Sequence, residues 1–152
     1  MKSRRRRHGD SLRRAAATVA LGLMATTAQA ACPPVASDGT VLQQANLLLA
    51  WRPLLKAEPG ASARRIPMAK HFALEVQLCD KAGISVARLQ KADATMPEHR
   101  HGMNYRPAIT PLGAGRFRVE GMMLHMAGRW QLAFEVRAGD EVIRLTDDIR
   151  ID

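Results

Sequence analysis

No stretch of this 152-residue chain is apolar for the roughly 20 residues that a membrane-spanning helix requires, so a permanent membrane span is not expected. Nor does it carry a serine or cysteine nucleophile motif, a paired-acid constellation, a Gly-rich phosphate loop or an HExxH helix, and it is read as a non-enzyme. Internal repeats and low-complexity tracts are absent as well. Acid is scarce at the start: the first thirty residues hold seven Lys or Arg (Lys2, Arg4 to Arg7, Arg13, Arg14) against Asp10 alone. Beyond Ala30, sixteen basic and thirteen acidic residues remain, and the formal charge falls from +9 to +3. The pI near 10.7 therefore reflects mainly that leading segment and does not argue for a nucleic-acid partner. The remaining 122 residues suffice for one hydrophobic core and are too few for two ordinary domains.

What is present at the N-terminus has three zones: an Arg-rich stretch, an apolar run from Ala15 to about Thr27, and Ala28-Gln29-Ala30. That is the layout of a secretory signal peptide, helical in its apolar part and cleaved after Ala30. Residues 1–30 are thus assigned to the signal and 31–152 to a mature domain in the periplasm. Cys32 and Cys79 are the only two cysteines, and export would put both in an oxidising compartment. A disulfide between them would contribute about 4 kcal/mol in the chain-entropy model. Lipidation of Cys32 and free thiols serving as copper ligands are the alternatives, the first weakened by Gln29 where a lipobox usually has Leu.

Period-two alternation recurs along the mature chain, the mark of strands with one buried face. Trp130, Leu132, Phe134 and Val136 alternate with Gln131, Ala133, Glu135 and Arg137. Phe72, Leu74, Val76 and Leu78 do the same, which sets Cys79 off the core face. From Arg116 to Met126, Phe117 and Val119 point inward, and Gly121 is placed to mark a bulge. Ile143, Leu145, Ile149 and Ile151 share one parity in the last run, interrupted by Asp147. Leu42 to Leu55 is read as the first strand, with Leu47, Leu49 and Trp51 on one face, and Glu58 to Ala63 as a surface loop. Turn signals stand at Lys81-Ala82-Gly83, Gly113-Ala114-Gly115, Ala127-Gly128 and Ala138-Gly139-Asp140. Strands about ten residues apart with tight turns between them predict an all-β, antiparallel sandwich of about seven strands.

Of the six methionines and four histidines after Ala30, five and three fall between positions 96 and 126. Thioether sulfur is a soft ligand suited to Cu(I), and imidazole serves both copper states, so an exported Met/His set selects copper over zinc, magnesium or calcium. The candidate ligands are His99, His101, Met103 and His125, with Met96 and Met123 as alternates. They would form one site if the loop carrying His99 and His101 folds over the strand end carrying His125. Gly102 would let the loop turn through positive φ, and Met123 and His125 would share one strand face while Met122 and Met126 share the other. Against this stands a plainer reading: strand methionines are usually core filler, and His99 and His101 can brace a loop through its carbonyls. His71 is read as a surface or strand-end residue, and Glu98 as a solvated acid.

The stretches MPEHRHGMNYRP (Met96 to Pro107), GRFRVEGMMLHMAGRW (Gly115 to Trp130) and QLAFEVRAGDEVIRL (Gln131 to Leu145) resemble the YtkA-like domain family, which overlaps with FixH-like proteins. The resemblance covers about half of the mature chain. It implies a small exported immunoglobulin-like β-sandwich, and its Met/His motif looks similar to those of the PCuAC and CopC groups of copper-carrying proteins. In this chain His125 and Met126 are adjacent, whereas the PCuAC arrangement separates its last His and Met by one residue. FixH-like relatives connect the resemblance to assembly of respiratory oxidases. The expectation is a periplasmic copper carrier or chaperone handing its ion to an acceptor cuproenzyme or haem enzyme in the cell envelope. The competing expectation is a metal-free envelope module that assists assembly of a respiratory or haem enzyme.

Overall fold

The computed structural model describes residues 39–55, 65–80 and 87–152. The signal segment, Cys32, the loop at Glu58 to Ala63 and the turn at Lys81-Ala82-Gly83 lie outside them. Among the described residues there is no α-helix, and no helix is long and apolar enough to cross a membrane. The strands are β1 (Thr40–Gln44), β2 (Leu47–Leu54), β3 (Phe72–Asp80), β4 (Arg88–Met96), β5 (His101–Gly102), β6 (Ala108–Gly113), β7 (Arg116–Met122), β8 (Gly128–Ala138) and β9 (Glu141–Ile151), with a single 3₁₀ turn at Pro97–His99. One sheet has the order β1-β2-β3-β7-β6 and the other β5-β4-β8-β9, and the named strand pairs are all antiparallel. The fold is the all-β sandwich that the alternation predicts, with nine strands where about seven were expected.

The inner faces meet in one core. Leu47, Leu49 and Trp51 of β2, the Phe72 to Leu78 row of β3, and Phe117, Val119 and Met122 of β7 pack against Ala92, Ala94 and Met96 of β4, the Trp130 to Val136 row of β8, and Ile143 and Leu145 of β9. Each large apolar side chain buried this way contributes about 1.5–3 kcal/mol. Two contacts join the sheets near Trp51: its ring lies 6.4 Å from that of Phe134, and its Nε1 donates to Asp147 Oδ2 at 3.0 Å. The second explains the acid that interrupts the inward row of β9, since an inner-face carboxylate persists where a donor from the opposite sheet meets it.

Some local expectations change. The segment from Leu42 to Leu55 is split between β1 and β2 by a turn with Ala45 at φ 52°. Pro53 sits past the Thr40–Trp51 pair that ends the β1–β2 ladder, so its missing N–H takes no bond from β1. Cys79 has the outward parity expected of it, yet it is buried, because this end of β3 is covered on its outer side. There Gln77, also buried, donates through Nε2 to Ala114 O at 2.9 Å, and the Leu78 amide donates to Gly115 O at 2.8 Å. Cys79 is disulfide-bonded. The bulge at Gly121 is present: Ala73 pairs with Glu120 and Phe72 with Met122, which leaves Gly121, at φ 87°, unpaired between them. It reverses the parity of the strand, so Met122 turns inward after Val119.

Candidate metal site

The sequence cluster becomes a spatial one at the end of the sandwich where β4, β5 and β8 run side by side. Met96 pairs with His101 and Thr95 with Gly102. Residues directly opposite in an antiparallel pair lie on the same face with Cβ atoms about 4.5–5.5 Å apart, so His101 and Met96 leave the sheet side by side on one face. One step beyond the Thr95–Gln131 pair, Met96 is level with Trp130, which pairs in turn with Ile149. Ile149, Trp130, Met96 and His101 therefore form one row across four strands.

Gly102 is needed there for a reason other than the one expected. Its φ is not positive; the left-handed residue in this hairpin is Arg100, at φ 55°. A Cβ on Gly102 would stand 2.9 Å from Ala94 O and 3.3 Å from Thr95 Cγ2, so the absence of a side chain is what lets β5 lie against β4.

His125 reaches the row from the other sheet. Beyond β7 the chain is pinned on both sides of it. The buried Leu124 bridges Met68 and its carbonyl accepts from the Ala69 amide at 2.8 Å, while Met126 O accepts from Trp130 Nε1 at 2.9 Å. The His125 ring centre then lies 5.1 Å from that of His101 and 5.4 Å from that of Trp130, and His101 lies 5.7 Å from Trp130. His99, exposed on the 3₁₀ turn, has its ring centre 5.8 Å from that of His101. The segment carrying His99 and His101 does come against His125, which lies beyond the end of β7 and not on a strand as expected, and His101 is the ring common to both imidazole contacts.

His101 is also the anomaly of the site. Its Nδ1 and Nε2 are both buried and have no hydrogen-bond partner among the described residues. Buried polar atoms are ordinarily satisfied, and an orphaned one costs about 1–3 kcal/mol. The loop-bracing reading of His101 requires a carbonyl partner that is not found.

The other candidates are distributed unevenly. Met96 is fully buried, and its Cε occupies the space that a Cβ on Gly128 would need. Met103 is half-buried against the core, its amide donating to Ala94 O at 3.0 Å, and it lines a surface cavity with Tyr105 and Arg106. Met123 is half-buried and Met126 exposed, while Met122 is core. The expected partnership of Met122 with Met126 on one face fails because β7 ends at Met122 and the chain leaves the ladder there. His71 is exposed at the start of β3, edge-on to Tyr105 at 5.5 Å. Glu98 is exposed and ion-paired: Arg129 Nε reaches its Oε1 at 3.2 Å, and Arg129 Nη1 reaches Asp148 Oδ2 at 3.0 Å. Those two bonds, Glu98 first, raise the guanidinium pKa above its ordinary value.

The chemistry open to the site follows from this donor set. Among the described residues no three His, Cys, Asp or Glu side chains form a group able to hold one ion. Zinc sites ordinarily use three or four such ligands, and magnesium and calcium sites are rich in carboxylates. Two imidazoles holding one ion at about 2 Å have ring centres about 5 to 6 Å apart, from a tetrahedral to a near-linear arrangement. The His101–His125 separation falls in that range, with a thioether next in the row.

No protein-family model matches this chain, and no curated protein matches it. Among solved structures, a copper-bound variant of FetP from uropathogenic Escherichia coli is similar to it with a TM-score of 0.47 and 9% identity, over 74% of this chain and 94% of that chain. A likeness at this level says nothing about what this chain binds.

Proposed function

We propose that this protein is a periplasmic copper carrier of YtkA-like type that holds Cu(I) between His101 and His125, with Met96 as the adjoining soft donor, and passes it to an acceptor in the cell envelope. It carries the ion as cargo and catalyses nothing. The observation that carries this reading is the half-buried His101 ring, whose two buried nitrogens have no partner among the described residues, its centre 5.1 Å from that of a second imidazole and its residue paired across the strands with Met96. A soft monovalent ion is satisfied by two or three such donors, where zinc is not. Trp130 walls the site against water and, through Met126 O, fixes the segment that carries His125. Exchange then proceeds by ligand substitution at the exposed rim, with His125 displaced before His101 is released.

The test is anaerobic titration of the mature protein with Cu(I) against a chromophoric chelator, for wild type, His101→Ala and His125→Ala. One-to-one binding weakened at least tenfold by both substitutions is the expected result. The second reading, a metal-free envelope module assisting assembly of a respiratory or haem enzyme, is favoured by the absence of a three-ligand His/Cys/Asp/Glu group among the described residues. A folded wild type that takes no Cu(I) from the chelator decides for it.

A further inference from the structure

Three imidazoles meet at this rim, but in a chain of pairs. His101 is shared and half-buried, with both ring nitrogens buried; His125 lies 5.1 Å to one side and His99 5.8 Å to the other. Both separations fit two imidazoles on one ion, while no three-ligand His/Cys/Asp/Glu group forms among the described residues. Two overlapping two-histidine sites thus share one ligand, His101.

The two flanking histidines are held very differently. His125 lies between two backbone anchors, the Leu124 carbonyl bonded to Ala69 N and the Met126 carbonyl bonded to Trp130 Nε1, and its ring contacts Trp130. His99 sits on a three-residue turn that has no side-chain cap and buries none of its residues. One long bond closes the turn, Arg100 N to Pro97 O at 3.4 Å. What ties the turn to β8 is the exposed Glu98–Arg129 pair, an interaction that added salt screens. Few buried contacts and an exposed tether mark the segment that moves most readily.

The geometry points to His99 as a transfer ligand: it takes the ion from the His101–His125 pair while His101 stays bound, and presents it at the surface to the acceptor. This rests on the copper reading above. The step is a ligand substitution in which a lone pair of the His99 imidazole replaces that of His125, with no change in oxidation state. The ion never leaves its last protein ligand before the next has bound, which avoids a bare intermediate. The acceptor this implies is one presenting exposed soft donors, thioether, thiolate or imidazole, that bind a two-coordinate ion.

The experiment separates holding from handing over. Wild type, His99→Ala and His125→Ala are each loaded with one Cu(I), and two quantities are measured: the equilibrium distribution against a chromophoric chelator, and the stopped-flow rate of transfer to excess chelator. His99→Ala is expected to keep the wild-type affinity within about threefold and to lose at least tenfold in transfer rate, while His125→Ala loses at least tenfold in affinity. If His99→Ala weakens affinity as much as His125→Ala does, the three rings act as one site and the relay is wrong. If it changes neither quantity, His99 is a bystander and the relay is equally wrong. Failure of wild type itself to take up Cu(I) removes the copper reading, an outcome distinct from both.

Discussion

Replacing His101 by leucine should stabilise the metal-free protein. The imidazole keeps two buried nitrogens without partners among the described residues, and each orphan costs about 1–3 kcal/mol relative to an apolar atom in the same place. Leucine removes both. It also gives up the ring contacts with His99, His125 and Trp130, worth about 0.5–1.5 kcal/mol each at most, and it fills the space beside Met96 less well. The balance is a net gain of about 1–2 kcal/mol, or roughly 4–8 °C in Tm for a domain of this size. Urea denaturation followed by tryptophan fluorescence in chelator-containing buffer measures it, and the m-value should not change, since the same surface is exposed on unfolding. Adding Cu(I) should then stabilise wild type by RT ln(1 + [L]/Kd) and leave His101→Leu unmoved. If leucine instead destabilises the metal-free protein by more than about 1 kcal/mol, the ring nitrogens are satisfied in solution. His101 is then a structural peg, and the argument for a ligand built on its orphaned atoms collapses.

Other substitutions test the frame around the site. Gly102→Ala drives a Cβ into the Ala94 carbonyl, so it should lift β5 from β4, cost about 1–3 kcal/mol and weaken Cu(I) binding together with stability, read by paired chelator and urea titrations. Gly121→Ala meets nothing closer than Pro107 Cα at 4.0 Å, so its effect is the positive-φ strain of the bulge alone, about 1–2 kcal/mol, with Cu(I) affinity preserved. Asp147→Leu leaves the Trp51 indole N–H unpaired at the junction of the sheets and should destabilise by about 1–3 kcal/mol in urea, with a changed Trp51 indole NMR signal. Arg129→Gln should speed amide exchange across Glu98 to His101, as added salt should in wild type. The guanidinium pKa is raised above its ordinary value, so the stability linked to its titration is fully present below the ordinary arginine range and lost only as pH climbs through the higher folded value; neutral-range pH should not release this arginine from the turn.

The strands legible in the sequence are those whose alternation runs unbroken. β3 and β8 bury every residue of their inward rows, Phe72 to Leu78 and Trp130 to Val136, and Gly121 was identifiable as a bulge because a lone glycine in a strand has few other uses. β4 was not legible. Between Leu89 and Lys91 the register slips, so the inward residues are Leu89 and then Ala92, Ala94 and Met96, a spacing that neither period two nor period 3.6 describes. Two of those inward positions are alanine, which carries little hydrophobic signal. β6 is an edge strand holding Pro111 with almost every residue exposed, and β5 is two residues long; neither leaves a pattern to find.

The missed strand is the one that decides the site. Composition singles out a dense Met/His segment, but residue type cannot distinguish a ligand from core filler. Pairing register can, because it determines which side chains share a face. Met96 counts as a loop residue as long as β4 is unseen; once β4 pairs with β5, Met96 stands opposite His101 as its cross-strand neighbour. Met122 and Met123 are separated in the same way by one unpaired glycine, which turns Met122 into the core and ends the ladder before His125. Two irregularities, at Gln90 and Gly121, thus set which sulfurs accompany the imidazoles. Deleting Gly121 would remove only the unpaired residue and leave Glu120 opposite Ala73 and Met122 opposite Phe72, so the register beyond it, and the face His125 presents, should be kept. The deletion should therefore change stability through the lost bend of β7 while Cu(I) affinity, read by chelator competition, is preserved; a loss of affinity at unchanged stability would show that the bend itself, and not the register, aims His125 at His101.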